Sequence, residues 1–156
     1  MRWARVLAVL VGLASSGCMD TTHPSAPAGE PPFSATLDGT AWYATGIHVT
    51  RLPSTDIGMV SVIGTNITVQ AGISLALLVA KPGTYSVGPT PQVFALVSSG
   101  TDAVWSTVDS AATGSVVITL LESHRVTGTF DFDAVPYRGS AVGTVHVRNG
   151  KFDIAY

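Results

Sequence analysis

Four side chains towards the C-terminus have the types and spacing to do chemistry: Asp131, Asp133, His146 and Asp153. Asp131 and Asp133 are two apart, so on a strand they share one face. His146 and Asp153 are placed symmetrically about Asn149-Gly150. That dipeptide is a strong hairpin signal, because a two-residue type I′ turn needs φ > 0 at both positions. In the resulting register Arg148 faces Lys151, Val147 faces Phe152, His146 faces Asp153 and Val145 faces Ile154. One imidazole among carboxylates could hold a hard divalent ion or stabilise an imidazolium. A metal centre needs more converging ligands and outer partners, so a weak, solvated polar cluster is expected and no metal or cofactor is assigned. The other candidate is Trp105, in Val104-Trp-Ser-Thr-Val108. On one strand phase its ring is exposed near the Gly100-Thr-Asp102 loop, as a contact for a sugar ligand or a partner; on the other phase it fills the core.

The rest of the chain offers no mechanism. It has no HExxH or CxxC pair, no GxSxG elbow and no phosphate-cradling glycine loop. Neither a nucleophile–base pair nor two opposed carboxylates can be argued, so no residue is assigned as catalytic and an enzyme is not expected. His48 and His124 read as solvated surface histidines. Charged residues are 12% of the chain and unclustered, which argues against nucleic acid as a partner.

Cys18 is the single cysteine, so it has no internal disulfide partner. Before it come Arg2 and Arg5, the apolar run Val6 to Leu13, and the small residues Ala14-Ser-Ser-Gly17. This segment resembles a bacterial lipoprotein signal, in which the cysteine after the cut is diacylated and becomes the mature N-terminus. Ser15 stands where that pattern prefers leucine, which leaves cleavage by the ordinary signal peptidase open. Loss of Arg2 and Arg5 with residues 1–17 takes the formal charge from −2 to −4. Residues 18–32 then form a lipidated cysteine and a tether whose four prolines and small residues cannot offset the entropy of ordering. The tether spans roughly 45 Å when fully extended. His23 lies within it. A lipid anchor implies a membrane as partner and the cell envelope as location, the outer membrane being preferred to the inner.

Residues 33–156 read as one all-β domain. Phe33 to Leu37 and Thr40 to Ala44 flank Asp38-Gly39, a second two-residue hairpin signature that sets Ala35 opposite Trp42. Val126, Gly128, Phe130 and Phe132 share one face, with Val116, Ile118 and Leu120 on the partner strand. Ile73, Leu75, Leu77 and Val79 alternate inward, and Lys81-Pro82-Gly83 reads as a type II turn. Pro136 to Ser140 reads as a polar turn, and a further turn falls at Pro53-Ser54. About ten short strands with close turn signals predict an antiparallel meander, folded as a two-layer sandwich or a flattened barrel.

The stretch Phe33 to Ala44 resembles the opening of small bacterial lipoproteins of unknown function, which begin an all-β domain on F-x-A-x-x-D/N-G-x-x-W. Lys81 to Tyr85, Arg125 to Phe130 and Asn149 to Asp153 are similar to that group as well. The resemblance implies export and a β fold, and no catalytic residues. The chain is therefore expected to be an exported, lipid-anchored structural or interaction module of the envelope. The alternative is a binding protein with an apolar or carbohydrate ligand in a barrel cavity lined by Trp42, Tyr85 or Phe94. A hollow interior would favour binding, and a filled one the structural role.

Overall fold

The computed structural model describes residues 29–52, 59–89 and 92–156. The expected signal segment, Cys18, His23 and the Pro53-Ser54 turn lie outside the described residues. Within them are eleven strands and no helix. They are β1 (Phe33–Leu37), β2 (Thr40–Tyr43), β3 (Gly46–Leu52), β4 (Met59–Asn66), β5 (Ala71–Leu78) and β6 (Gly83–Ser86). They continue as β7 (Val93–Ser99), β8 (Ala103–Ser106), β9 (Thr113–Leu121), β10 (Arg125–Arg138) and β11 (Val145–Ala155).

The strands form one antiparallel sheet curled into a half-barrel, in the order β2-β1-β11-β10-β8-β7-β5-β4-β3, with β9 and β6 branching from β10. The long β10 makes this possible. It pairs with β9 through Asp133 and with β8 from Val135 onward, so it belongs to both layers. At the other end, β2 passes into β3 through Ala44 and Thr45. Thr45 N–H donates to the carbonyl of Thr65 on β4 at 2.8 Å. A strand that changes layer at a bend is how sheet corners are made.

Period-two alternation places the core. Ile73, Leu75, Leu77 and Val79 are buried, as are Val126, Phe130, Phe132, Val116 and Ile118. The β1–β2 hairpin has the expected register, with Ala35 opposite Trp42 and Leu37 opposite Thr40. Asp38 and Gly39 both have positive φ, as a type I′ turn demands. The interior is occupied by Phe33, Trp42, Phe130, Phe132 and Phe152, whose ring centroids lie 5.5–6.5 Å from their neighbours.

Asn149-Gly150 is not a hairpin turn. β11 runs straight through it, and only Asn149 has positive φ. Val147 pairs with Phe132 and Gly150 with Phe130, so Arg148 and Asn149 together oppose Asp131 alone. This is a β-bulge: one extra residue switches which parity of side chain points inward. Val145 and Val147 are buried before it, Gly150, Phe152 and Ile154 after it. The long β10 decides the matter, because it needs a partner strand of comparable length.

Other expected turns also differ. Gly83 lacks positive φ and opens β6, so Lys81-Pro82-Gly83 is no type II turn. The Tyr85 hydroxyl instead closes the bend by donating to the Lys81 carbonyl at 2.7 Å. Pro136 and Tyr137 belong to β10, where Pro136 faces Trp105 beside an irregularity, a place a sheet tolerates proline. Leu120 is only partly buried, because pairing slips between Thr127 and Gly128 and leaves Thr119 extra.

The bulge predicts a particular coupling. A Cβ on Gly150 would overlap the Phe130 ring, with Cγ at 2.6 Å. Gly150→Ala should cost about 1–3 kcal/mol by overpacking, and Phe130→Leu should absorb part of that cost in a double-mutant cycle of urea midpoints. Additive losses would place the ring elsewhere. Trp42 predicts a second result. Its indole N–H is buried without an acceptor among the described residues. Trp42→Ala should therefore lose about 3–5 kcal/mol. Trp42→Phe should lose much less, since it removes an unsatisfied donor while keeping a ring.

Candidate functional site

Chain continuity through Asn149-Gly150 redistributes the candidate residues. His146 faces Asp133, not Asp153. Its Nδ1 lies 2.7 Å from Asp133 Oδ1. The same oxygen accepts from Arg148 Nη2, and Asp133 Oδ2 accepts from the Thr113 hydroxyl at 3.1 Å. Thr113, Asp133 and His146 are cross-strand neighbours on β9, β10 and β11, so the ladder itself assembles the network. Arg148 is fixed from behind by donating to the carbonyls of Phe132 and Val147. The β1–β2 turn docks on the same row. Asp38 Oδ1 accepts from the His146 amide at 2.8 Å, and the Asp38 amide donates to the His146 carbonyl at 2.9 Å.

Asp131 and Asp153 belong to other groups. Asp131 Oδ1 accepts the Asn149 amide at 2.8 Å, which satisfies the donor at the bulge. Asp153 forms a bidentate pair with Arg125, both contacts at 2.8 Å. The hydrogen bond to Asp153 raises the Arg125 pKa further above its ordinary value. The four residues expected to form one cluster thus fall into three arrangements. No group of three or more His, Cys, Asp or Glu among the described residues could hold a metal ion.

Burial pushes the Asp133 carboxyl pKa up. Hydrogen bonds from His146, Arg148 and Thr113, with the Arg148 charge, outweigh it, so the pKa lies below the usual carboxylate range. The two arginines were missing from the expected site. Their signal in the sequence is charge complementarity across strands, which can be read only once the register is known.

Trp105 is half-buried against the edge of the core, and its indole N–H donates to the Gly143 carbonyl at 3.0 Å. Its polar handle therefore holds the loop between β10 and β11. His48 is exposed on β3, 3.1 Å from the Thr50 hydroxyl, and His124 is exposed in the β9–β10 turn. Beside His48 an open cleft of about 490 Å³ separates β3 from the end of β11, with Ile47, Val49, Ile154 and Tyr156 in its walls.

The Asp133 network has a definite pH signature. The folded carboxyl titrates below its unfolded value of roughly 3.9, so its contribution is present above that value and is lost as pH falls through the folded pKa. Asp133→Asn should lower stability by about 1 kcal/mol at neutral pH, the upper range for a partly exposed ion pair. It should also flatten the acid limb of the stability curve. Urea midpoints measured from pH ~7 down to ~2 check this, and parallel acid limbs would contradict it.

Compared with known proteins, the chain matches the family model described as "Domain of unknown function (DUF6252)" over residues 29–154. No curated protein and no solved structure matches it.

Proposed function

We propose that this chain, which belongs to the family of the domain of unknown function DUF6252, is an exported β module held at the cell envelope by a lipid on Cys18. Its role in this reading is structural or interactive, with no catalytic residue assigned. The carrying observation is Cys18 itself, the single cysteine, set directly after an n-region, an apolar run and small residues. The family match begins at residue 29, which supports dividing the chain into a leader and tether followed by a folded domain. The outer membrane is the preferred location, and an envelope protein the preferred macromolecular partner. The mild acidity of the chain speaks against nucleic acid.

The packed aromatic interior supports a structural module over a barrel that encloses a ligand. Trp42 is buried among other rings, and the Tyr85 hydroxyl is committed to Lys81. A small apolar or carbohydrate ligand remains the second reading, moved from the interior to the cleft between β3 and β11.

Cys18→Ser should move the protein from the detergent phase to the aqueous phase in a partition assay, and intact mass of the wild-type chain should show the acyl groups. Unchanged partition of the variant would exclude the anchor.

A further inference from the structure

The turn between β4 and β5 presents two aliphatic side chains to solvent. Ile67 is 80% exposed and Val69 58%. This is no loose loop. Asn66 is buried, its Oδ1 accepts the amides of Thr68 and Val69 at 3.0 and 3.3 Å, and its Nδ2 donates to the Tyr43 carbonyl at 2.8 Å. An asparagine that bonds the backbone ahead of it fixes the turn. Ile67 and Val69 are therefore held outward. The Gly100 amide donates to the Gln70 carbonyl at 2.8 Å and joins this turn to the one between β7 and β8. Between the two turns lies a hollow of about 420 Å³, and none of the nine residues lining it, from Thr65 to Thr101, is charged.

The position of this end relative to the tether bears on what it meets. The tether enters the fold at Pro32 and Phe33. The Phe33 carbonyl accepts from Ala44 N–H at 2.9 Å, and Thr45 N–H donates to Thr65 at 2.8 Å. The Thr45 hydroxyl in turn accepts the Ile67 amide at 3.3 Å. The point where an anchored chain enters the domain is thus only a few hydrogen-bonded steps from the aliphatic turn. Tyr43, 52% exposed, lies on the same path. Three large apolar side chains exposed on hydrogen-bonded neighbouring segments differ from a single scattered one, which would need no explanation.

We propose that the β4–β5 turn is a membrane-contact element: with the domain tethered through Cys18, Ile67 and Val69 dip into the lipid interface and set the orientation of the sheet. The inference rests on the anchoring reading. Two aliphatic tips are too little to hold a free domain on a bilayer, where even one acyl chain gives only marginal binding. The tether supplies the local concentration that makes a weak contact count.

The test uses the full lipid-modified chain in vesicles of phosphatidylethanolamine and phosphatidylglycerol. Acylation blocks Cys18, so Val69→Cys can carry a single environment-sensitive fluorophore. Ser110→Cys, exposed beyond the other end of β8, is the reference, and Ile67→Cys is a second probe should the first disturb the turn. Brominated lipids should quench the probes at 69 and 67 strongly and the one at 110 weakly, with the same ordering in the blue shift. A chain that fails to float with the vesicles removes the anchoring reading and this inference together. A chain that floats with equal or no quenching at 69 and 110 leaves the anchor standing and overturns the contact.

Discussion

Close approach of phenylalanine rings to glycine backbone is the constraint on which the rest of the structure depends. Phe33 on β1 lies over Gly64 on β4, where a Cβ would come within 2.7 Å of its ring and 3.0 Å of Trp42. Phe152 on β11 covers Gly128 on β10, and Phe130 on β10 covers Gly150 on β11. Each pair trades the poor strand propensity of glycine for a ring laid flat on backbone, a known way of rescuing glycine in sheets. The first pair joins the two layers. The other two lock adjacent strands in register, since a slip of one residue would drive a ring into a Cβ. Edge-to-face and stacked contacts among the rings add about 0.5–1.5 kcal/mol each beyond burial.

The bulge follows from this packing and prepares the outer surface. Gly150 must lie under Phe130, while Val147 must point inward opposite Phe132. Three positions separate Gly150 from Val147, an odd number, so uninterrupted alternation cannot serve both. One extra residue resolves the conflict, with Asn149 taking the left-handed conformation that asparagine tolerates. The outer face then carries His146 and Arg148 on one side of the bulge and Lys151 and Asp153 on the other. Arg148 and His146 reach Asp133, while Asp153 reaches Arg125. The electrostatic pattern outside is thus set by steric demand inside.

Much of this was legible in the sequence, and the failures have one physical source. The all-β class, the Asp38-Gly39 hairpin with its register, and the inward faces of β5 and β10 follow from alternation and turn chemistry alone. Asn149-Gly150 carries the same local signal as Asp38-Gly39 and has a different fate. Both a two-residue turn and a bulge reverse the parity of the apolar positions, so Val145, Val147, Phe152 and Ile154 fit either. What separates them is non-local: the fourteen residues of β10 need a partner. The polar cluster failed with the register, because cross-strand neighbours are defined only after strands are paired. Trp105 was undecided on pattern, and it is the carbonyls of a loop 37 and 38 residues away that hold it.

A half-barrel has edges, and a folded domain must keep them from pairing with copies of itself. Among the described residues β2 pairs only with β1 and β3 only with β4. β2 is short, four residues, and its end is taken up by Asn66 bonding the Tyr43 carbonyl. β3 is longer and carries its protection in side chains. Arg51 reaches across to the Glu122 carbonyl at 2.7 Å, and His48 and Thr50 bond each other on its exposed face. The Arg51 contact ties the far end of β3 to the β9–β10 turn of the other layer. It also sets a charged side chain beside that edge, which is one of the ways sheets discourage strand addition. The long edge strand β3 therefore carries a bonded charge, while the short edge strand β2, beside the strand that begins at Phe33, is closed by Asn66.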